Sequence, residues 1–379
     1  MPITVTNVVA SNYIVMAALL VLFLFTLRKT QQSDLLAISI TQELKGLGIL
    51  MVVFSHIAYM LVTNSGFMYP LSTIAGVGVD LFLFMSGYGL TLGMLKKPLG
   101  AVAFYKRRMI KIFIPFWLVL LAFFAADIGF LGMEYSPLYI VQSFLGWFPS
   151  ARSYGDVNSP LWYITWMIMF YALFPLLFSA SRPWLSALAL AVIAHTLGMW
   201  NPFELQDNWL HRMHTLAFSL GIVFAWLLFE TKEKPNRVAS YLREFRDTSG
   251  AFVRYTIIIC MLLVVAYMAT HSTASAWPNL AAFLGYDYFI DQISALVMMA
   301  ALIVTFVLKR VQSKLLAVFG IFSYEIYLLH WPLMSRYDIY FDIFPAWMAV
   351  LVWLFSFVVL SWLLQKVTTP LGMWLDKKW

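Results

Sequence analysis

Charge is scarce in this sequence: of 379 residues only 11% are Asp, Glu, Lys or Arg, while 62% are apolar. A soluble domain averages about 25% charged residues, and no soluble core of this length hides so much apolar surface, so a water-soluble globular protein is excluded. Cysteine is scarcer still. The single one, Cys260, lies within an apolar run, which rules out a disulfide framework within the chain and leaves a cysteine-ligated metal site without ligands. An HExxH pair, a phosphate-binding glycine loop and a GxSxG elbow are also missing, which removes the common metallohydrolase, nucleotide hydrolase and serine hydrolase chemistries. No metal is expected. The net charge of +7 does not indicate nucleic acid, because the basic residues are dispersed between apolar runs instead of gathered on one solvated face.

What is present is apolar sequence in lengths that suit a bilayer. Mean hydropathy is +0.81, and a spanning helix needs roughly 20 mostly apolar residues. Eleven such runs are legible, over approximately 11–28, 45–64, 72–95, 108–131, 160–180, 183–200, 211–230, 254–270, 288–309, 314–334 and 345–367. The expected fold is all-α, a polytopic membrane helix bundle forming a single domain over 1–379, with no internal repeat. The first run has no basic region before it and no small-residue cleavage site after it, so 1–30 reads as a retained helix. Placing the N-terminus outside and the C-terminus in the cytoplasm puts every basic residue except Arg152, Arg212 and Arg336 on the inner side, as the positive-inside rule requires. Two further stretches are amphipathic. One, at 241–245 within the loop 230–254, suits anionic headgroups; the other, at 138–148 in the outer segment 133–158, suits an interfacial helix covering an acceptor site.

In hydrocarbon the polar residues carry the information, since an intramembrane ionisable group is expensive to keep. His56 lies in the middle of the second run, eleven residues past Lys45; eleven residues are about three turns, so the two share a stripe roughly 16 Å apart. Imidazole takes and returns protons near neutral pH, which suits a general base; a packed histidine bonded to backbone is the structural alternative. Asp80, one or two turns from the outer surface, either orients His56 through a carboxylate–imidazole bond or pairs near the interface. Arg108 and Lys111 are spaced i,i+3 and Arg107 and Lys111 i,i+4, so their tips converge on a phosphate-bearing ligand such as the diphosphate of coenzyme A, unless they only mark a cytoplasmic helix end. Glu325 falls near mid-depth in the tenth run. Tyr324, Tyr327 and His330 accompany it, as site residues or as an aromatic belt. His211, Arg212 and His214 cluster at the outer end of the seventh run, where they either bind an anionic or sugar acceptor or snorkel to headgroups. His195 and His271 read as structural.

Taken in order, these segments resemble the acyltransferase-3 family of integral-membrane acyltransferases, whose members typically O-acylate surface glycans and related molecules. Lys45 and His56 are similar to the family's basic residue, ten intervening positions and histidine. Gly78-Val-Asp80-Leu-Phe-Leu-Phe-Met-Ser86-Gly87 resembles its glycine-flanked aspartate signature, and Arg108 with Lys111 its Arg-x-x-Arg acyl-CoA motif, followed by Pro115. Pro160-Leu-Trp162-Tyr163 and Ser323-Tyr324-x-x-Tyr327-Leu-x-His330-Trp-Pro332 resemble its later signatures. The resemblance implies a family-like core over 43–367, of ten helices, with one extra helix before it. Two positions depart from the family. Lys111 replaces the second arginine, keeping charge but losing bidentate phosphate pairing, and Met167 stands where many members carry a glutamate.

The resemblance further implies an acyltransferase of the bacterial inner membrane. It would take an acyl group, most often acetyl, from cytoplasmic acyl-CoA held at Lys45, Arg107, Arg108 and Lys111. His56 would act as general base or transient acyl carrier, Asp80 would orient it, and Glu325 or Asp80 would supply the carboxylate missing at Met167. A hydroxyl of a surface or lipid-linked saccharide would enter near Trp162, Arg212, Tyr324, Tyr327 and His330. Acyl-CoA (acetyl-CoA) is then a co-substrate, with no permanently bound cofactor, and membrane lipids and the glycolipid acceptor are the partners. Two rival readings use the same residues: a proton-coupled transporter or glycan flippase with His56, Asp80 and Glu325 as relay, and a non-catalytic glycan or acyl-CoA sensor.

Overall fold

A computed structural model describes residues 3–29, 34–62, 66–69, 71–229, 235–271 and 287–378. Among them, nine helices are long and apolar enough to cross a membrane, and one further pair of helices, bent by 77°, is so only when the two are taken together. The protein is a multi-pass helix bundle. In chain order the principal elements are α1 (Val8–Phe25), α2 (Ile38–Ser55), α3 (Ala75–Lys96), α4 (Ala101–Leu131), the short α5 (Pro137–Phe144), α6 (Trp162–Leu177) and α7 (Pro183–Trp200). These are followed by α8 (Asn208–Arg212), α9 (Ala217–Leu228), α10 (Arg237–Thr248), α11 (Ala251–His271), α12 (Asp287–Leu308), the bent pair α13 (Lys314–Ile321) and α14 (Ser323–Arg336), the short α15 (Tyr340–Ile343) and α16 (Ala346–Lys378).

The seventh expected run, 211–230, is not one helix. It breaks between α8 and α9, leaving α9 only 12 residues long. Gln292 on α12 reaches the break and donates to the Thr215 hydroxyl at 2.8 Å and the Arg212 carbonyl at 3.4 Å, satisfying polar groups that an unbroken helix would have handled internally. Several boundaries also move outward from the apolar runs. α2 starts at Ile38, so Lys45 sits two turns inside it, and α16 continues to Lys378. The interfacial stretch expected at 138–148 is α5, capped by Ser136, whose side chain accepts from the Tyr139 N–H. The one expected at 241–245 falls in α10, capped by Asn236; residues 230–234 of that loop and the His271 side chain lie outside the described residues.

Glycine sets how closely the central helices meet. A Cβ on Gly46 would overlap the Leu316 carbonyl and one on Gly320 the Gln42 carbonyl, so α2 and α13 lie backbone against backbone. The same reciprocity joins Gly87 to the Phe218 carbonyl and Gly221 to the Phe84 carbonyl, between α3 and α9. Small residues take this role in membranes because lipid gives helices no hydrophobic reason to associate, and close van der Waals contact must supply one. Gly320→Ala is therefore expected to lower stability by about 2 kcal/mol. A melt in detergent checks it, with Gly93→Ala as the neutral comparison, since nothing lies within 4 Å of a Cβ there.

The first helix is fastened at both ends. At one end the Ile3 N–H donates to the Leu61 carbonyl at 2.7 Å, and Asn12 bonds both the Gly66 carbonyl and the Met68 N–H. At the other, strands β1 (Leu27–Lys29) and β2 (Val311–Ser313) pair antiparallel, with Leu27 opposite Ser313. Beside β2, the carboxylate of Glu43, only 1% exposed, takes a 2.7 Å ion pair from Lys309. Ile3 meets Val62, just past the π-helical turn that follows α2, and Asp376 meets Lys106, near the start of α4.

Candidate active site

At the end of the bundle where α4 begins, the helices enclose a cavity of about 680 Å³. Lys45 enters it from α2, and Arg108 and Lys111 from α4. The guanidinium of Arg108 lies 5.7 Å from the ring centres of both Phe104 and Tyr171. Stacking of this kind fixes the group in place while leaving its N–H donors available. Arg107 does not line the cavity and is exposed; consecutive residues point about 100° apart on a helix, so the i,i+3 pair converges and its neighbour turns away. Glu325 is the cavity's one carboxylate among the described residues, and Met167 lines the same space. Tyr324 closes α14 onto α4 by donating to the Ile112 carbonyl at 2.9 Å.

The inner end of the cavity is walled by Tyr163 and Tyr327, whose rings meet edge to face at 5.5 Å. Tyr327 also donates to the Pro160 carbonyl, and its ring centre is 6.2 Å from that of His330. His330 is fully buried and bonded to His56: the His56 Nδ1 lies 2.8 Å from the His330 Nε2. The rings are parallel within 1°, with centroids 5.0 Å apart, the separation that an in-plane N–H···N bond produces. The protons follow from the remaining contacts. The His330 Nδ1 faces the Tyr327 and Ile326 carbonyls at 2.9 and 3.1 Å, and carbonyls only accept, so this nitrogen carries the hydrogen. Its Nε2 must then accept from the His56 Nδ1. With both rings neutral, the His56 Nε2 is left with a lone pair and no proton. His56 is also where α2 passes into a π-helical turn, His56–Leu61, a distortion that recurs at functional sites.

Asp80 does not hold His56. Its Oδ1 lies 2.8 Å from the His214 Nδ1, both side chains being buried, and His214 stacks on Trp162 with ring centres 5.7 Å apart. The expected carboxylate–imidazole bond forms, but with the histidine after α8, because α3 packs along α9. It ties α3 to the α8–α9 break. Arg212 packs against Gly198 on α7 and bonds the Met199 sulfur at 3.3 Å, while Trp162 is occupied by His214 and His211.

On the side of the histidine pair away from the cations, residues 146–158 fold over the end of α14. Trp331, edge-on to His56 at 5.5 Å, donates to the Ser153 carbonyl at 2.9 Å, and Asn158 donates to the Leu328 carbonyl at 2.9 Å. The main clamp there is Arg336, which pairs with Asp127 of α4 and also reaches the Asp156 carbonyl. Asp127, 0% exposed, further accepts from Tyr135 at 2.5 Å and Tyr337 at 2.6 Å. Nothing in the sequence pattern singles out Asp127 beyond its being a lone acid within an apolar run, which is itself the signal to follow.

Among the described residues, no group of three or more His, Cys, Asp or Glu is arranged to hold a metal ion. No curated protein and no solved structure matches the chain. A family model does, one for an acyltransferase domain, and it covers residues 44–366, a stretch that includes Lys45, Arg108, Lys111, Glu325 and the histidine pair. With that coverage, the chain belongs to the acyltransferase-3 family of membrane acyltransferases.

Proposed function

We propose that the protein moves an acetyl group from acyl-CoA to a hydroxyl of a surface or lipid-linked saccharide, in the bacterial inner membrane, with the end bearing Lys45, Arg108 and Lys111 in the cytoplasm. The observation that carries this reading is the buried His56–His330 pair, Nδ1 to Nε2 at 2.8 Å, roughly 16 Å along one helix from a cavity lined by Lys45, Arg108 and Lys111. The cations take the phosphates of the donor, and the acyl end of its arm reaches past Tyr163 and Tyr327 toward His56. There the His56 Nε2 removes the proton of the acceptor hydroxyl, the oxygen attacks the thioester carbonyl, the C–S bond breaks, and His56 returns the proton to the departing thiolate. His330 holds the tautomer that makes this possible, as a base commonly needs a third group to fix it. Glu325, close to Lys111 in the cavity, offsets part of the cationic charge and supplies the carboxylate absent at Met167. The acceptor approaches from the side covered by residues 146–158.

Purified protein reconstituted in vesicles is expected to release CoA from acetyl-CoA only when a competent saccharide is supplied. The surface glycans of cells lacking the protein should each be lighter by one acetyl group. Proton-coupled solute uptake with no thioester cleavage, by the same vesicles, would instead establish the transporter reading.

A further inference from the structure

One wall of the cavity comes from the last helix, α16, which contributes Gln365, Thr368, Thr369 and Gly372. These stand at i, i+3, i+4 and i+7, a single stripe of the helix, and the last three lie beyond residue 366, where the family match ends. The stripe is held against the cavity at both ends. Gln365 donates to the Ile321 carbonyl at 3.2 Å. At the far end Lys106 pairs with Asp376 at 3.8 Å and donates to its carbonyl at 3.3 Å.

The two threonines differ from several others on the helices, though Thr91, 0% exposed, likewise leaves its hydroxyl unbonded. Thr305, Thr270 and Thr248 each turn the hydroxyl back to the carbonyl four residues earlier, on Ala301, Ala266 and Glu244, the usual way for a helical threonine to satisfy itself. Among the described residues, no hydrogen bond engages the hydroxyl of Thr368 or Thr369, although Thr368 is 7% exposed. Their depth is set by Gly372, which lies beside Ile110, next to Lys111, and Ile114, about one turn further along α4. Thr368 and Thr369 are about one turn, roughly 5 Å, further along α16 toward its start and hence past the cations, on the way to Tyr327. A ligand whose phosphates rest on Arg108 and Lys111 therefore presents to this stripe the segment next to its phosphates. In coenzyme A that segment is the pantetheine arm, uncharged and carrying two amides and a hydroxyl.

We propose that α16 forms the pantetheine-reading wall of the donor site, with Thr368 and Thr369 as binding residues for the arm's polar groups. This rests on the reading of acyl-CoA as donor. The wall explains how a site that has lost one arginine, at Lys111, still takes hold of its donor: part of the recognition moves from the phosphates to the arm.

The test is equilibrium binding to the purified full chain in detergent, with two probes, CoA and adenosine 3′,5′-bisphosphate, which keeps the nucleotide end and lacks the arm. Thr368→Val and Thr369→Val, of the same shape without the hydroxyl, are expected to weaken CoA roughly 3–10-fold each and leave the bisphosphate unchanged. Unchanged bisphosphate binding also shows that the variants are folded. Lys111→Ala should weaken both probes. CoA binding unaltered by the threonine variants, or equal weakening of both probes, overturns the wall while leaving the donor in place. Failure of the unaltered protein to bind CoA at all overturns the donor reading itself.

Discussion

Replacing His56 with alanine is expected to lower acyl transfer by roughly 10²–10⁴-fold without loss of donor binding. The separation of effects follows from the geometry: the cations that would hold the donor are on α2 and α4 about three turns away, and the histidine contributes no charge to them. Alanine, however, also strands the His330 Nε2, which loses the donor now 2.8 Å away, and an unsatisfied buried acceptor costs about 1–3 kcal/mol. His56→Asn separates the two consequences. Its amide N–H takes the place of the Nδ1–H and keeps the bond to His330, but nothing stands where the Nε2 was. The asparagine variant should melt with the unaltered protein and still fail to turn over. Normal turnover by either variant would remove His56 from the reaction.

The second large effect is on stability. Asp127→Ala leaves the buried Arg336 guanidinium, 7% exposed, without its counter-charge, and breaking a buried pair from one side costs about 3–5 kcal/mol. Tyr135 and Tyr337 lose an acceptor in the same change. Asp127→Leu combined with Arg336→Met should recover most of that loss, because the expensive state is the unpaired charge and not the absence of the pair. Midpoints of thermal unfolding in detergent decide it. A double variant no more stable than Asp127→Ala alone would mean that the clamp on residues 146–158, through the Asp156 carbonyl, matters more than the charge.

Helix identity was legible from the apolar runs because a bilayer imposes it: segments must be long, and their backbone must satisfy itself. Helix ends were less so. Lys45 looked like the start of a run because it is charged, yet helix 2 begins seven residues earlier, since a lysine with a cavity to point into need not end a helix. The break after Arg212 was hidden for the opposite reason, as residues 211–230 are apolar enough to read as continuous. For the site, helical spacing brought Arg108 and Lys111 to one cavity, but it also enlisted Arg107 by its i,i+4 spacing to Lys111, and the structure leaves Arg107 exposed and outside the cavity. Spacing could not choose among partners far apart in sequence. For Asp80 the sequence offered His56 or an unnamed partner near the interface, and only the packing of helix 3 along helix 9 selects His214. In the same way, the pairing of His56 with His330 joins residues 274 apart, a distance over which no periodicity carries information.

The small β1–β2 ladder has a consequence for how the protein is made. Thr26, at the end of the first helix, meets Ser313 across 287 residues of sequence, and at about 5–20 residues per second the ribosome delivers the second partner on the order of 15–60 s after the first. For that interval the first helix is held only at its other end, through the contacts of Ile3 and Asn12 with residues 61–68, and otherwise by its own apolarity. Its mean hydropathy of 2.4 is the highest of the described spans, whereas helices 2 and 3, with Lys45, His56 and Asp80, reach only 1.3 and 1.4. Those two carry buried polar side chains at the cost of membrane affinity, and they complete their close contacts only when helices 9 and 13 emerge. Synthesis in chain order thus leaves the two less apolar helices dependent on partners still to come.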